Sequence, residues 1–156
     1  MNVLKEDNYI EKLNAYTFSD WKPLLDLIPV LESGRRLVED ADENEEFLGE
    51  YSTFYYQVPS EVINKFQRVV KFIPIIIDFE WNIWTEGWDI ILEDHHKIDF
   101  DFNTIDIPTK CKIITAIVES EKIDKVGIIQ EVFKNGFIFL LLKSLKEQLL
   151  AFKVID

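Results

Sequence analysis

The chain has 156 residues, 47% of them hydrophobic and 13% aromatic, which suits one globular domain with a sizeable core. Its 29 acidic against 17 basic residues give a formal net charge of −12, which argues against nucleic acid or an anionic membrane as partner and favours a basic one. A single cysteine, Cys111, excludes an internal disulfide, and the longest wholly apolar run, Phe137 to Leu142, is far shorter than the roughly 20 residues of a membrane-spanning helix. The opening MNVLKEDNYIEKL lacks the apolar core of a signal peptide, so a cytoplasmic location is expected.

Along the chain, Leu4, Ile10 and Leu13 give a weak helical pattern over Val3 to Tyr16. Leu24, Leu25, Ile28 and Leu31 then recur at helical spacing, with Ser19 or Asp20 as N-cap, Pro23 in the first turn and Gly34 as the stop. Pro29 should kink or shorten this helix. Between Gly34 and Pro59 the period changes to two: Phe54, Tyr56 and Val58 alternate as in a half-buried strand, and Leu37-Val38 supplies a partner across the acidic stretch 39–50. That stretch, a run of mutually repelling carboxylates, is expected to be a mobile loop.

Pro59-Ser60 opens the next helix, which carries Val62, Phe66, Val69, Val70 and Ile73 on one face and ends at Pro74. Ile75 to Phe79 is β-branched and reads as an extended connector or short strand. After the tryptophan-rich FEWNIWTEGWDIILEDHH, Pro108 marks a first turn, and Ile113, Ile114, Ile117 and Val118 form a buried stripe. Ile128, Ile129, Val132 and Phe133 mark a helix closed by Asn135-Gly136, and Ile138, Leu141, Leu142, Leu145 and Leu149 line one side of the last. The expected architecture is mainly α (α+β): one domain over residues 1–156, with a bundle-like core of about five to six helices and a small β-hairpin near residues 35–58.

From Asp78 onward the succession IIIDFEWNIW, DFNTIDIPTKCKIITAIVESEKI and VGIIQEVFKNGFIFLLLKSL resembles a small bacterial family known only as domain of unknown function 6508. The resemblance lies mainly over residues 60–145. It rests on Phe79, Trp81 and Trp84 in a Phe-Asp-Trp-x-x-Trp-like segment, on Thr115 and Val118 at a helix end, and on Gly136, Leu142 and Leu145 in a leucine-rich tail. The chain departs from the pattern at Glu80, which replaces an aspartate, and at Glu119, Lys122, Lys143 and Ser144, where the family tends to have arginines. The resemblance implies a shared helical fold and brings no activity, cofactor or partner with it.

On a regular helix Trp81, Trp84, Trp88, Leu92 and His95 fall within an arc of roughly 80°. That face is either a core stripe or the wall of a ligand pocket with His95 as its polar member, and three- and four-residue spacing favours the core. His96 points roughly 100° away from His95, so the two cannot readily share a metal, and neither HExxH nor CxxC is present. Two acidic segments imitate a calcium loop. In Asp40 to Tyr51, however, Glu45 replaces the turn glycine and Tyr51 the bidentate glutamate, and Thr104 and Lys110 break Asp99 to Lys110 in the same way. Lys110 and Lys112 beside Cys111 would lower a thiol pKa, yet no histidine is assignable to it, and a buried, inert cysteine is favoured. Serine-elbow, Walker and Rossmann patterns are absent, so neither a metal nor a cofactor is expected.

Two functions fit these residues. The favoured one is a non-enzymatic binding or regulatory module that engages a basic protein partner through an acidic surface, with Glu39, Asp40, Asp42, Glu43, Glu45 and Glu46 as the candidate contacts. The other is a small enzyme or ligand-binding protein with its pocket beside Trp81, Trp84 and Trp88, using His95 as acid or base.

Overall fold

The computed structural model describes residues 3–37, 54–81, 102–124, 128–134 and 136–152. Their elements, in chain order, are β1 (Leu4–Lys5), α1 (Tyr9–Ala15), α2 (Phe18–Leu25), α3 (Leu27–Ser33), β2 (Arg35–Leu37), β3 (Phe54–Tyr56), α4 (Ser60–Phe72), β4 (Ile77–Asp78), a 3-10 turn at Phe102–Thr104, α5 (Ile107–Asp124), α6 (Ile128–Lys134) and α7 (Phe137–Phe152). The fold is mainly helical, and the expected hairpin is present as the antiparallel pair β2–β3, with Arg35 opposite Tyr56 and Leu37 opposite Phe54. A second pairing, β1 with β4, is parallel and sets Leu4 beside Ile77.

The amino-terminal part differs from its sequence pattern in three ways. Val3 to Tyr16 is not one helix, because Leu4 and Lys5 are drawn into pairing with β4 and helix begins only at Tyr9. The helix that follows starts earlier than Ser19. Thr17 is its N-cap, its side chain accepting from the Asp20 N–H while the Asp20 carboxylate accepts from the Thr17 N–H, so Pro23 lies inside the helix. The path then breaks at Asp26, and Pro29 falls in the first turn of α3, where a missing N–H costs nothing.

Two long helices build the centre. α7 packs against α2, α3, α5 and α6, and Ile138, Leu141, Leu142, Leu145 and Leu149 along it are all fully buried. α5 touches α1, β4, α6 and α7, and it is buried almost all round from Lys110 to Val118. Asp106 starts it by accepting the Thr109 N–H at 2.9 Å, with Pro108 between them in the first turn. Near its other end Glu121 accepts the Ile129 N–H at 3.2 Å and so caps the start of α6.

α4 buries Ile63, Phe66 and Val70 against this centre, while Val62, Val69 and Ile73 flank them half-buried. Phe66 meets Phe133 of α6 edge to face at 5.1 Å, a contact worth about 0.5–1.5 kcal/mol beyond its buried area. The turn between α6 and α7 needs Gly136, whose φ of 89° is left-handed and whose Cα carries the Tyr56 ring so closely that a Cβ would clash. Tyr56 in turn packs on Phe139 at 5.4 Å, fastening the hairpin to α7.

Candidate functional site

Of the candidate pocket residues, the structure describes Trp81 alone. It follows β4, is half-buried and packs against the core, with its N–H donated to the Phe79 carbonyl at 2.8 Å. Trp84, Trp88 and His95 lie outside the described residues, as do Glu39, Asp40, Asp42, Glu43, Glu45 and Glu46 of the acidic stretch.

What the described residues bring together instead is a set of buried polar groups on α5. Lys110 is fully buried, and its Nζ donates to the Phe102 carbonyl (2.9 Å), the Ile105 carbonyl (2.7 Å) and Gln148 Oε1 (2.6 Å). These bonds match the three donors of an ammonium. Gln148 Nε2 donates to the same Ile105 carbonyl at 2.9 Å, so one lysine and one glutamine lock the 3-10 turn between α5 and α7. Ser144 Oγ, where the family resemblance had led to an arginine, adds a 2.6 Å bond to Asn103 Oδ1 of that turn.

One turn further along α5, Thr115 is fully buried and bonds in two directions. Its Oγ1 donates to the Cys111 carbonyl at 2.8 Å and accepts the Ile77 N–H at 3.0 Å, which satisfies a buried donor of β4 and joins strand to helix. Thr115 therefore has a structural reason to sit where the family pattern has its threonine.

Cys111 is fully buried, and burial pushes its thiol pKa well up. The neighbouring Lys110 pulls it down by less, and Asp106 raises it further. The cysteine is thus buried as expected, and removal from water outweighs the acidifying effect of Lys110. Tyr16 donates its hydroxyl to the Pro74 carbonyl at 2.7 Å and meets Trp21 edge to face at 5.8 Å; burial is the first cause of its raised pKa, with Cys111 and then Asp20 adding to it. Trp21 is fully buried, and among the described residues its Nε1–H has no acceptor. Among the described residues no group of three or more His, Cys, Asp or Glu could hold a metal ion, and no helix is long and apolar enough to cross a membrane.

The outer face of α4 is of another kind. Lys65, Arg68 and Lys71 are exposed, and Phe72 beside them is 77% exposed, the highest value for a large hydrophobic residue among those described. The three- and six-residue spacing of these cations was legible in the sequence, whereas burial of a lysine such as Lys110 had no signal in pattern or composition.

No curated protein and no solved structure matches this chain. A family model does match, over residues 16–150, a span that takes in α2 to α7 and reaches further toward the amino terminus than the motifs around Trp81, Thr115 and Gly136. The chain therefore belongs to DUF6508, a family of unknown function.

Proposed function

We propose that this protein is a non-enzymatic binding module that engages a basic protein partner through acidic surface concentrated in the stretch 39–50. The observation that carries this reading is the uneven distribution of charge. Residues 39–50 hold seven acidic and no basic residues, and residues 78–106 hold nine acidic and one basic, leaving 13 acidic and 16 basic residues for the rest of the chain. A charge so segregated steers oppositely charged partners and rejects like-charged ones. The buried polar groups of α5 support the same reading, because Lys110 and Thr115 are committed to structural hydrogen bonds and Cys111 is held as an unreactive thiol.

The test compares the wild-type protein with a variant neutralised by Glu39→Gln, Asp40→Asn, Asp42→Asn, Glu43→Gln, Glu45→Gln and Glu46→Gln. Both are used as bait in native lysate at about 50 mM and about 0.5 M salt, where the Debye length falls severalfold. Basic proteins held by the wild type at low salt, released at high salt and missed by the variant are the expected result. Equal recovery by the two baits would overturn the reading.

A further inference from the structure

The outer face of α4 runs against the charge of the chain that carries it. The whole chain has a net charge of −12, yet α4 holds Lys65, Arg68 and Lys71 against a single carboxylate, Glu61. At about 100° per residue the three cations span an arc of roughly 120°, centred opposite the buried Ile63, Phe66 and Val70. Phe72, 77% exposed, falls inside that arc between Lys65 and Arg68. All three cations are exposed, and among the described residues none has a hydrogen-bond or ion-pair partner, even with Glu61 one turn before Lys65.

We infer that this face docks an acidic peptide segment of another protein, one that carries two or three carboxylates and an apolar residue. Each part of the face has a counterpart in such a segment. The Arg68 guanidinium offers a carboxylate two parallel hydrogen bonds, Lys65 and Lys71 add point charges on either side, and Phe72 supplies apolar contact area. From Lys65 to Phe72 the helix rises about 10 Å, the reach of about three residues of extended peptide. A nucleic acid fits less well, because a polyanion with a charge about every 3.4 Å along each strand meets the repulsion of the whole molecule, and its backbone has nothing apolar for Phe72. A short segment with few charges responds to the local cations, since carboxylates more than about 8 Å away are screened at physiological salt. The face is separate from residues 39–50, so the inference stands whether or not that stretch binds a basic partner.

The probe is an amidated peptide of alternating glutamate and serine, with three glutamates, a terminal leucine and an uncharged fluorophore, titrated with the full chain at about 0.15 M salt and read by anisotropy. Exposed ion pairs are individually small, so a Kd on the order of 0.1 mM is expected. The variant Lys65→Gln, Arg68→Gln, Lys71→Gln should bind at least about tenfold more weakly with its circular dichroism unchanged, and Phe72→Ser about threefold more weakly. A control, Lys5→Gln, Lys12→Gln, Lys146→Gln, changes the net charge equally at three exposed lysines on other elements and should stay within about twofold of the wild type. If the α4 triple variant loses its helical signal, Arg68→Gln alone is read instead, with a loss of about threefold expected.

No binding by the wild type, or equal binding of the same peptide with glutamine in place of glutamate, overturns the inference. So does a control variant weakened as much as the α4 variant, because the effect then belongs to net charge and not to this face. A Phe72→Ser protein that binds as tightly as the wild type removes the apolar half of the site and overturns it too. Tighter binding of a single-stranded oligonucleotide with the same number of charges would make the face a nucleic-acid contact and overturn the peptide as its occupant.

Discussion

α4 and α5 are both long helices packed on the same core, and they use their polar residues in opposite ways. On α5 two polar residues, Lys110 and Thr115, point inward and are consumed: Lys110 by three acceptors, Thr115 by one donor and one acceptor. On α4 the buried apolar residues Ile63, Phe66 and Val70 occupy one face, and Lys65, Arg68 and Lys71 remain free of such duties. A buried polar group left unpaired costs far more than an exposed one, so the polar residues of α5 are fixed by the fold. Those of α4 are exposed to water and carry no such cost.

If this contrast is right, substitutions on the two helices should separate cleanly in stability. The largest loss is expected for Lys110→Met, which keeps much of the side-chain volume but strips their donor from the Phe102 and Ile105 carbonyls and from Gln148 Oε1. A loss on the order of 3 kcal/mol, read from urea denaturation, is the expected result. A Lys110→Met protein as stable as wild type would show that the 3-10 turn does not depend on this amine. Thr115→Val comes next, at about 2 kcal/mol, because the Ile77 N–H loses its acceptor while shape is preserved. Hydrogen exchange at Ile77 should accelerate with it.

Cys111 gives a pH-dependent version of the same contrast. Its folded pKa is raised above the unfolded value, so the thiol leaves stability untouched below about pH 8.5 and lowers it above that. The decline due to this one group is at most about 1.4 kcal/mol per pH unit, and Cys111→Ala should flatten the stability profile between about pH 8.5 and 10 by that amount. The smallest effect belongs to α4: Arg68→Gln should change stability by less than about 0.5 kcal/mol. A larger loss there would break the comparison, since it would place Arg68 in the structure's own bonding.

The helical stripes of α4, α5 and α7 were legible because burial of Phe66, Ile114 and Leu145 follows directly from apolar residues recurring at helical spacing. The hairpin was legible through the alternation at Phe54, Tyr56 and Val58. Lys110 was not, because a lysine reads as exposed unless three oxygens from residues 102, 105 and 148 converge on it, and that convergence exists only in the folded chain. Thr17 was missed in favour of Ser19 and Asp20, as several capping residues stood close together and only the Thr17–Asp20 reciprocity separates them. Of the candidate site, Trp81 alone lies among the described residues, half-buried and packed against the core, and the basic face of α4 is hidden behind a net charge that says nothing of how charge is distributed.

The register that sets Leu37 opposite Phe54 has one more consequence, for engineering. It brings the two ends of the sixteen-residue stretch 38–53 side by side, on a hairpin that Tyr56 clamps to Gly136 and Phe139. Closing a chain across a gap that is already bridged is inexpensive, about 0.6 kcal/mol for each doubling of its length. Lengthening the connection between Leu37 and Phe54 should therefore cost the helical frame little, a margin open to an inserted reporter peptide.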